Sequence, residues 1–164
     1  MSEVHTYIET LKKIGINGIQ IIQDGQEIGC FMKKEYKRQN QYSITKSFTS
    51  AAVGFAIEEG LFELNSKVCQ LFDEAIKIED PYWNMMEIRH LLTMTMGLET
   101  PILMGDSRKT LKESDWVSYV FRQKVTEKPG TVFQYNNAGP YLLGVFDSEK
   151  DRKKSDRVSY PSLI

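Results

Sequence analysis

A serine and a lysine lie at the spacing needed for nucleophilic catalysis. Ser43 and Lys46 form an S-x-x-K tetrad at the start of a predicted helix, where positions i and i+3 share a face. A serine hydroxyl is a weak nucleophile and needs a base beside it. A lysine can be that base only if burial or a neighbouring cation lowers its pKa. The tetrad predicts an activated serine, although twelve serines and fifteen lysines give about one such tetrad by chance.

A Tyr-x-Asn triplet that could assist the serine occurs twice. The first, Tyr82-Trp83-Asn84, precedes a predicted helix in an aromatic segment, and we interpret it as packing plus a turn. The second, Tyr135-Asn136-Asn137, follows the turn signal Pro129-Gly130 and could project its tyrosine and last asparagine into a cleft. A phenol shuttles a proton when a nearby ammonium favours its anion. An asparagine amide can bind a substrate carbonyl or hold Lys46 in place.

The remaining reactive residue types receive structural interpretations. His90 falls within a predicted helix and is interpreted as a surface or packing residue. Cys30 and Cys69 form no C-x-x-C and are interpreted as buried free thiols in a reducing compartment. With only two histidines and no Cys/His cluster, the sequence predicts no metal site, and we expect no cofactor.

The elements that must position these residues begin with a helix and a hairpin. Residues 4–13 predict a short helix, and residues 16–23 and 27–33 predict two strands joined at Asp24-Gly25, a strong turn signal. Segments with helical periodicity then follow at 43–59, 85–96, 114–124 and 138–145.

For three of these segments, the sequence also predicts burial or the residue at which the helix begins or ends. Residues 43–59 are apolar over more than one stripe, so we expect a buried central helix that ends at Gly60. Gly97 is the expected stop of the second segment, and Ser114 the expected N-cap of the third.

The composition of the chain is that of a globular protein and argues against some functional classes. The chain has 164 residues, 41% hydrophobic and 26% charged, with a net charge of -1. This suits one globular domain and gives no basic excess for a nucleic-acid partner. The N-terminus lacks a basic and apolar signal region, and the longest uncharged stretch is too short for a membrane span. We therefore expect a cytoplasmic protein.

Taken together, the three motif regions resemble the serine β-lactamase and penicillin-binding protein family, and within it the branch of class C β-lactamases, D-alanyl-D-alanine carboxypeptidases and esterases. The matching segments are 43–54, 88–98 and 129–137, in family order, and the resemblance covers roughly residues 15 to 145. It implies an α/β (α+β) fold, in which an antiparallel sheet is flanked by helices beside a helical subdomain.

The resemblance also implies roles for four residues. Ser43 would be the acylated nucleophile and Lys46 its activating partner. Tyr135 would shuttle the proton to the leaving group, and Asn137 would be a ligand of the substrate and of Lys46. The substrate would be a small-molecule or peptide-like ester, amide or lactam, hydrolysed through an acyl-enzyme without a cofactor.

The sequence departs from the family after Asn137. The family's third motif, Lys-Thr-Gly or His-x-Gly, lies on a later strand and supplies an oxyanion-hole amide, and no such triplet follows here. Losing one oxyanion donor costs about 10²–10³ in rate. We therefore expect weak or absent turnover, with a non-catalytic remnant or binding module of the same fold as the alternative.

The composition changes abruptly near the C-terminus. Nine of the eleven residues at 147–157 are charged. We expect residues 1–146 to form an incomplete β-lactamase-related domain that lacks its C-terminal strands, and 147–164 to be a disordered tail outside the family. One hypothesis is that the chain is part of a longer hydrolase that was cut or frame-shifted near Phe146.

Overall fold

The computed structural model describes residues 3–34, 38–72, 78 and 80–153, with side chains described as far as residue 146 except at 106. The chain divides into two compact units, Met1–Tyr42 and Ser43–Ile164. In the described ranges, no helix has both the length and the apolar character needed to cross a bilayer.

The first unit is a helix against a two-stranded antiparallel sheet. Helix α1 (Glu3–Lys13) is followed by strands β1 (Gly18–Gln23) and β2 (Gln26–Met32). Asp24 and Gly25 have φ angles of 52° and 77°, as a two-residue type I′ turn requires. The predicted hairpin is therefore confirmed, with strand ends shifted by one or two residues.

Helix α1 approaches β2 closely at Gly29. A Cβ atom built there would lie 2.7 Å from the Val4 side chain and 2.8 Å from that of Ile8. Since successive residues of a strand face opposite sides of the sheet, the next residue, Cys30, points away from α1 and is exposed. The interpretation of Cys30 as a buried thiol is therefore wrong. Cys69, in the 3₁₀ turn Val68–Gln70, is only partly buried.

The described part of the second unit is helical around one apolar core. The 3₁₀ turn Tyr42–Ile44 leads into α2 (Thr45–Glu58), and α3 to α6 follow at Ile88–Leu92, Gly105–Thr110, Trp116–Phe121 and Ala138–Lys153. Trp83, in the 3₁₀ segment Pro81–Met85, is fully buried and its indole N–H donates to the Gln123 carbonyl at 3.2 Å. The packing interpretation of the first Tyr-x-Asn triplet is thereby supported.

Helix α2 is less buried than its composition predicts. It contains Val53 and Ala56 in the core, but Phe48 and Phe55 are 57% and 59% exposed. The expectation of a helix buried nearly all round is wrong for this chain. Apolar residues around a whole helix show only which faces could be buried. Within the second unit, one face of α2 packs in the core and the opposite face is exposed.

Helix α3 is much shorter than the predicted segment 85–96. Its N-terminal flank is extended, since the Met86 carbonyl accepts from the Val68 N–H at 3.0 Å. Its C-terminal end is a Schellman motif: the Thr95 N–H donates to the His90 carbonyl at 2.9 Å, and Met94, at φ 55°, occupies the left-handed position. The predicted stop at Gly97 therefore comes too late, because a non-glycine residue adopts the left-handed cap first.

The left-handed conformation of Met94 predicts that glycine at this position is more stable than alanine, the reverse of the order inside a helix. Both Met94→Ala and Met94→Gly remove the side chain, but only glycine adopts positive φ without a Cβ penalty. We expect the glycine variant to be more stable than the alanine variant by about 1 kcal/mol in urea unfolding. The control is Ala51→Gly in α2, where glycine should instead cost about 0.5–1 kcal/mol. An alanine variant as stable as the glycine variant would contradict the assigned cap.

The later helices also differ from prediction at their ends. Asp115, not Ser114, caps α5, because its carboxylate accepts from the Ser118 N–H at 3.0 Å. Helix α4 was not predicted, since its six residues show no apolar period. Helix α6 runs on to Lys153, beyond the predicted segment 138–145. The domain boundary expected at 146 stays a prediction, and the rest of the expected tail, 154–164, lies outside the described residues.

Candidate active site

The S-x-x-K tetrad forms one turn at the start of α2. Ser43 lies in the 3₁₀ turn Tyr42–Ile44, and Lys46 in the first turn of the helix. The Lys46 ammonium donates a hydrogen bond to the Ser43 hydroxyl oxygen at 3.1 Å. Ser43 is exposed and Lys46 is half-buried. A reactant can therefore approach the Ser43 hydroxyl oxygen while the Lys46 ammonium stays hydrogen-bonded to it.

Tyr135 reaches the same serine from 92 positions along the chain. Its hydroxyl donates to the Ser43 hydroxyl oxygen at 2.7 Å, and the Lys46 ammonium lies 5.2 Å from the centroid of its ring. A cation at that distance from an aromatic ring is attracted to its face. One serine oxygen therefore accepts hydrogen bonds from a phenol and an ammonium, and the two donors also interact.

This arrangement favours the phenolate of Tyr135. The hydrogen bond with Ser43, followed by that with Lys46 and its positive charge, holds the pKa of Tyr135 below that of a free tyrosine, while partial burial opposes the shift. Stabilising the charged form lowers the pKa of an acid. The phenol that contacts the serine is therefore also the group best prepared to take its proton.

The loop that bears Tyr135 is anchored by backbone hydrogen bonds. The Gly130 N–H donates to the Thr95 carbonyl at 2.8 Å, and the Gln134 N–H to the Met94 carbonyl at 2.9 Å. The loop thus runs beside the segment that terminates α3. The position of this loop is therefore fixed on one side by that segment and on the other by the start of α6.

Asn136 fixes the start of α6. Its side-chain oxygen accepts from the N–H groups of Ala138, at 2.9 Å, and Gly139, at 3.3 Å, and the residue is 1% exposed. Sequence reasoning missed this role, although an asparagine within two residues of the start of an apolar helix is a typical N-cap signal. The cap holds Tyr135 and Asn137 on either side of a buried residue.

Asn137 is close in sequence to Tyr135 but is bound elsewhere. Its side-chain N–H₂ donates to the Leu103 carbonyl at 2.7 Å, and its backbone N–H to the Ile102 carbonyl at 3.3 Å. Among the described residues, its Oδ1 is buried without a hydrogen-bond partner. The structure thus brings Ser43, Lys46 and Tyr135 together and joins Asn137 to none of them by a hydrogen bond.

His90 has a structural environment, as its sequence interpretation proposed. Its Nδ1 accepts from the Glu87 N–H at 3.1 Å, as part of a reciprocal capping box at the start of α3. Burial lowers the pKa of His90, which favours the neutral ring. A Cβ atom at Gly130 would lie 3.0 Å from its Nε2, so the ring packs directly beneath the loop that bears Tyr135.

In the part of the chain that the structure describes, no three His, Cys, Asp or Glu side chains lie close enough to hold a metal ion.

Sequence comparison finds a family and individual proteins to which the chain is similar. A family model described as Beta-lactamase matches residues 35–146. The chain is 34% identical over 130 residues to a Dichelobacter nodosus protein described as "Probable fimbrial assembly protein FimD, serogroup H1", covering 74% of this chain and 32% of that protein. It is 30% identical over 102 residues to a β-lactamase of Yersinia enterocolitica, covering 62% of this chain and 25% of that protein.

Structural comparison gives the same fold. The crystal structure of a class C β-lactamase in complex with cefoxitin matches with a TM-score of 0.64 at 18% identity, over 94% of this chain and 47% of that chain. The chain therefore spans a third or less of these curated relatives and under half of this solved structure. The expected β-lactamase-like fold, a small antiparallel sheet with helices, is confirmed. Since the family model covers most of the sequence and the fold agrees with it, the chain belongs to the β-lactamase family.

Proposed function

We propose that this chain carries the nucleophile of a serine hydrolase that acts on an ester, amide or lactam through an acyl-enzyme. The observation that carries the proposal is the convergence on the Ser43 oxygen, at 3.1 Å from the Lys46 ammonium and 2.7 Å from the Tyr135 hydroxyl. An activated serine needs a base within hydrogen-bond reach that is itself oriented by a third group. Tyr135 and Lys46 meet both requirements.

The proposed proton transfers use Tyr135 in both directions. In its phenolate form, Tyr135 accepts the Ser43 proton as the serine oxygen bonds to the acyl carbon. The Tyr135 hydroxyl then returns that proton to the leaving nitrogen or oxygen as its bond to the acyl carbon breaks. Water then attacks the acyl carbon and gives a proton to the Tyr135 phenolate. As the bond between the acyl carbon and the Ser43 oxygen breaks, Tyr135 returns that proton to Ser43 and the acid is released. Throughout, the Lys46 ammonium stabilises the phenolate and contributes no proton.

The proposed substrate is a small-molecule or peptide-like acyl compound. Ser43 is exposed and Tyr135 is 39% exposed, so an acyl group can reach the oxygen without an opening motion. In the proposal, Asn137 contributes a carboxamide to the substrate or to Lys46, although its N–H₂ group is bound to Leu103 here. No step calls for a cofactor.

The proposal separates acylation from turnover. No Lys-Thr-Gly or His-x-Gly triplet follows Asn137, and one missing oxyanion donor costs about 10²–10³ in rate. We therefore propose that this chain reacts with strongly activated acyl or phosphonyl compounds and turns over ordinary substrates weakly. The absent triplet equally favours the second candidate, a non-catalytic remnant or binding module of the same fold.

The test is intact-mass analysis after incubation with a fluorophosphonate. We expect one adduct per native chain and none in Ser43→Ala. The matched control is Ser47→Ala, which removes an exposed hydroxyl from the next turn of the same helix and should leave the adduct in place. No adduct on a native chain that melts cooperatively would reject the hydrolase proposal and favour the remnant.

A further inference from the structure

Leu103 has a backbone conformation that bulky residues avoid. Its φ is 55°, and the left-handed region costs a residue with a Cβ about 1–2 kcal/mol. Of the other non-glycine residues with positive φ in the described ranges, Asp24 lies in a tight hairpin turn, Met94 at the end of a helix, and the exposed Tyr42 at the start of a 3₁₀ turn. Leu103 lies in the irregular segment before α4, where no helix ends. Its conformation therefore needs another explanation.

The carbonyl of Leu103 is bound to the candidate active-site loop. It accepts from the side-chain N–H₂ of Asn137 at 2.7 Å, and the preceding carbonyl, of Ile102, accepts from the Asn137 backbone N–H. A carbonyl can only accept, so the nitrogen of the carboxamide must face Leu103. The Oδ1 atom therefore lies at the other end, where it is buried and unpartnered among the described residues.

We propose that Leu103 is a positioning residue whose left-handed backbone directs its carbonyl to Asn137 and so fixes which end of that carboxamide accepts hydrogen bonds. The consequence for reactivity rests on the proposed function, in which Asn137 serves the substrate or Lys46. A buried acceptor without a partner is costly. Either the Lys46 ammonium or an N–H group of an amide substrate would satisfy it.

The side chain of Leu103 explains how the strain persists. Leu103 is 3% exposed and belongs to the core of the second unit, beside Ile102 at 6%. Strained conformations persist where the surrounding structure determines them. Burial of the leucine side chain thus holds the backbone in a conformation that glycine would adopt without strain.

A pair of variants separates backbone conformation from packing. Leu103→Ile keeps the side-chain volume but moves the branch from Cγ to Cβ, which makes positive φ a clear outlier. Leu103→Met also keeps the volume and stays unbranched at Cβ. The direct readout is the rate at which the Asn137 side-chain amide protons exchange with water, measured by NMR and assigned with Asn137→Asp. The second readout is the rate of Ser43 labelling by a fluorophosphonate.

We expect faster amide exchange and slower Ser43 labelling in the isoleucine variant, each by about tenfold, and near-native values in the methionine variant. Native values in Leu103→Ile would overturn the proposal, as would equal losses in both variants. If Leu103→Ile does not fold, Leu103→Ala and Leu103→Gly replace the pair. Glycine should then retain the slower exchange, and equal exchange in these two would overturn the proposal.

The two readouts also separate this proposal from the proposed function. If the native chain takes up no label, the hydrolase proposal fails. The amide exchange rates still report whether the backbone of Leu103 orients Asn137, since they require no reaction at Ser43.

Discussion

Replacing Tyr135 with phenylalanine is expected to slow fluorophosphonate labelling of Ser43 by about 10²–10⁴-fold at neutral pH. The ring and its packing remain, but the hydroxyl that lies 2.7 Å from the serine oxygen is lost. Without it, only Lys46 remains within hydrogen-bond distance of Ser43 among the described residues, and its ammonium donates rather than accepts. The measurement is the rate of adduct formation by intact mass, at equal reagent concentration for both proteins.

The pH dependence of labelling tests the same assignment. The phenolate of Tyr135 is the reactive form, so the native rate should rise with pH through the pKa of Tyr135 and level off above it. Because Ser43 and Lys46 hold that pKa below that of a free tyrosine, the rise should be half complete below the titration of an unperturbed tyrosine. The Tyr135→Phe variant should lose this rise.

The chain offers a matched control in its other Tyr-x-Asn triplet. Tyr82 lies in the 3₁₀ segment Pro81–Met85 and is half-buried beside the core. Tyr82→Phe removes the equivalent hydroxyl from that triplet, and Ser43 in that variant should be labelled at the native rate. A native rate and pH profile in Tyr135→Phe would show that the hydrogen bond to Ser43 is not part of the activation.

Individual residues of the site show which contacts can be predicted from the sequence. The Ser43–Lys46 contact is local, because one helical turn brings i and i+3 together, and the spacing alone predicted it. The contact with Tyr135 crosses 92 positions and came from the family resemblance, since no local rule connects the two segments. Asn136 carried a local capping signal that was overlooked.

The burial of a side chain and the sign of a residue's φ angle were harder to predict than contacts within one helical turn. Phe55 and Cys30 are both exposed, because burial depends on which elements pack against a face and not on the residue types along it. The positive φ at Met94 and Leu103 has no sequence signal, since neither residue type favours that region. Sequence patterns therefore predicted most of the elements, while tertiary contacts determine the conformations that hold the site.

Gly97→Ala is expected to cause the largest loss of stability. Gly97 has φ 75°, and a Cβ atom there would lie 2.1 Å from the Glu127 carbonyl oxygen. That backbone cannot simply move away, because the Gly97 carbonyl accepts from the N–H groups of Thr126 and Glu127, at 2.9 and 3.1 Å. Left-handed strain and overpacking each cost about 1–3 kcal/mol, so we expect a loss of about 4 kcal/mol in total.

Urea unfolding of Gly97→Ala beside Gly54→Ala checks this expectation. Gly54 lies in α2, is exposed and has nothing within 4 Å of a built Cβ, so alanine there should stabilise the chain by about 0.5–1 kcal/mol. Since the Thr95 carbonyl, two residues before Gly97, anchors Gly130, a shift at Gly97 should also displace the Tyr135 loop and reduce Ser43 labelling in any Gly97→Ala chain that folds. A Gly97→Ala chain as stable as the native one would show that these two segments are not in the close contact from which the site is built.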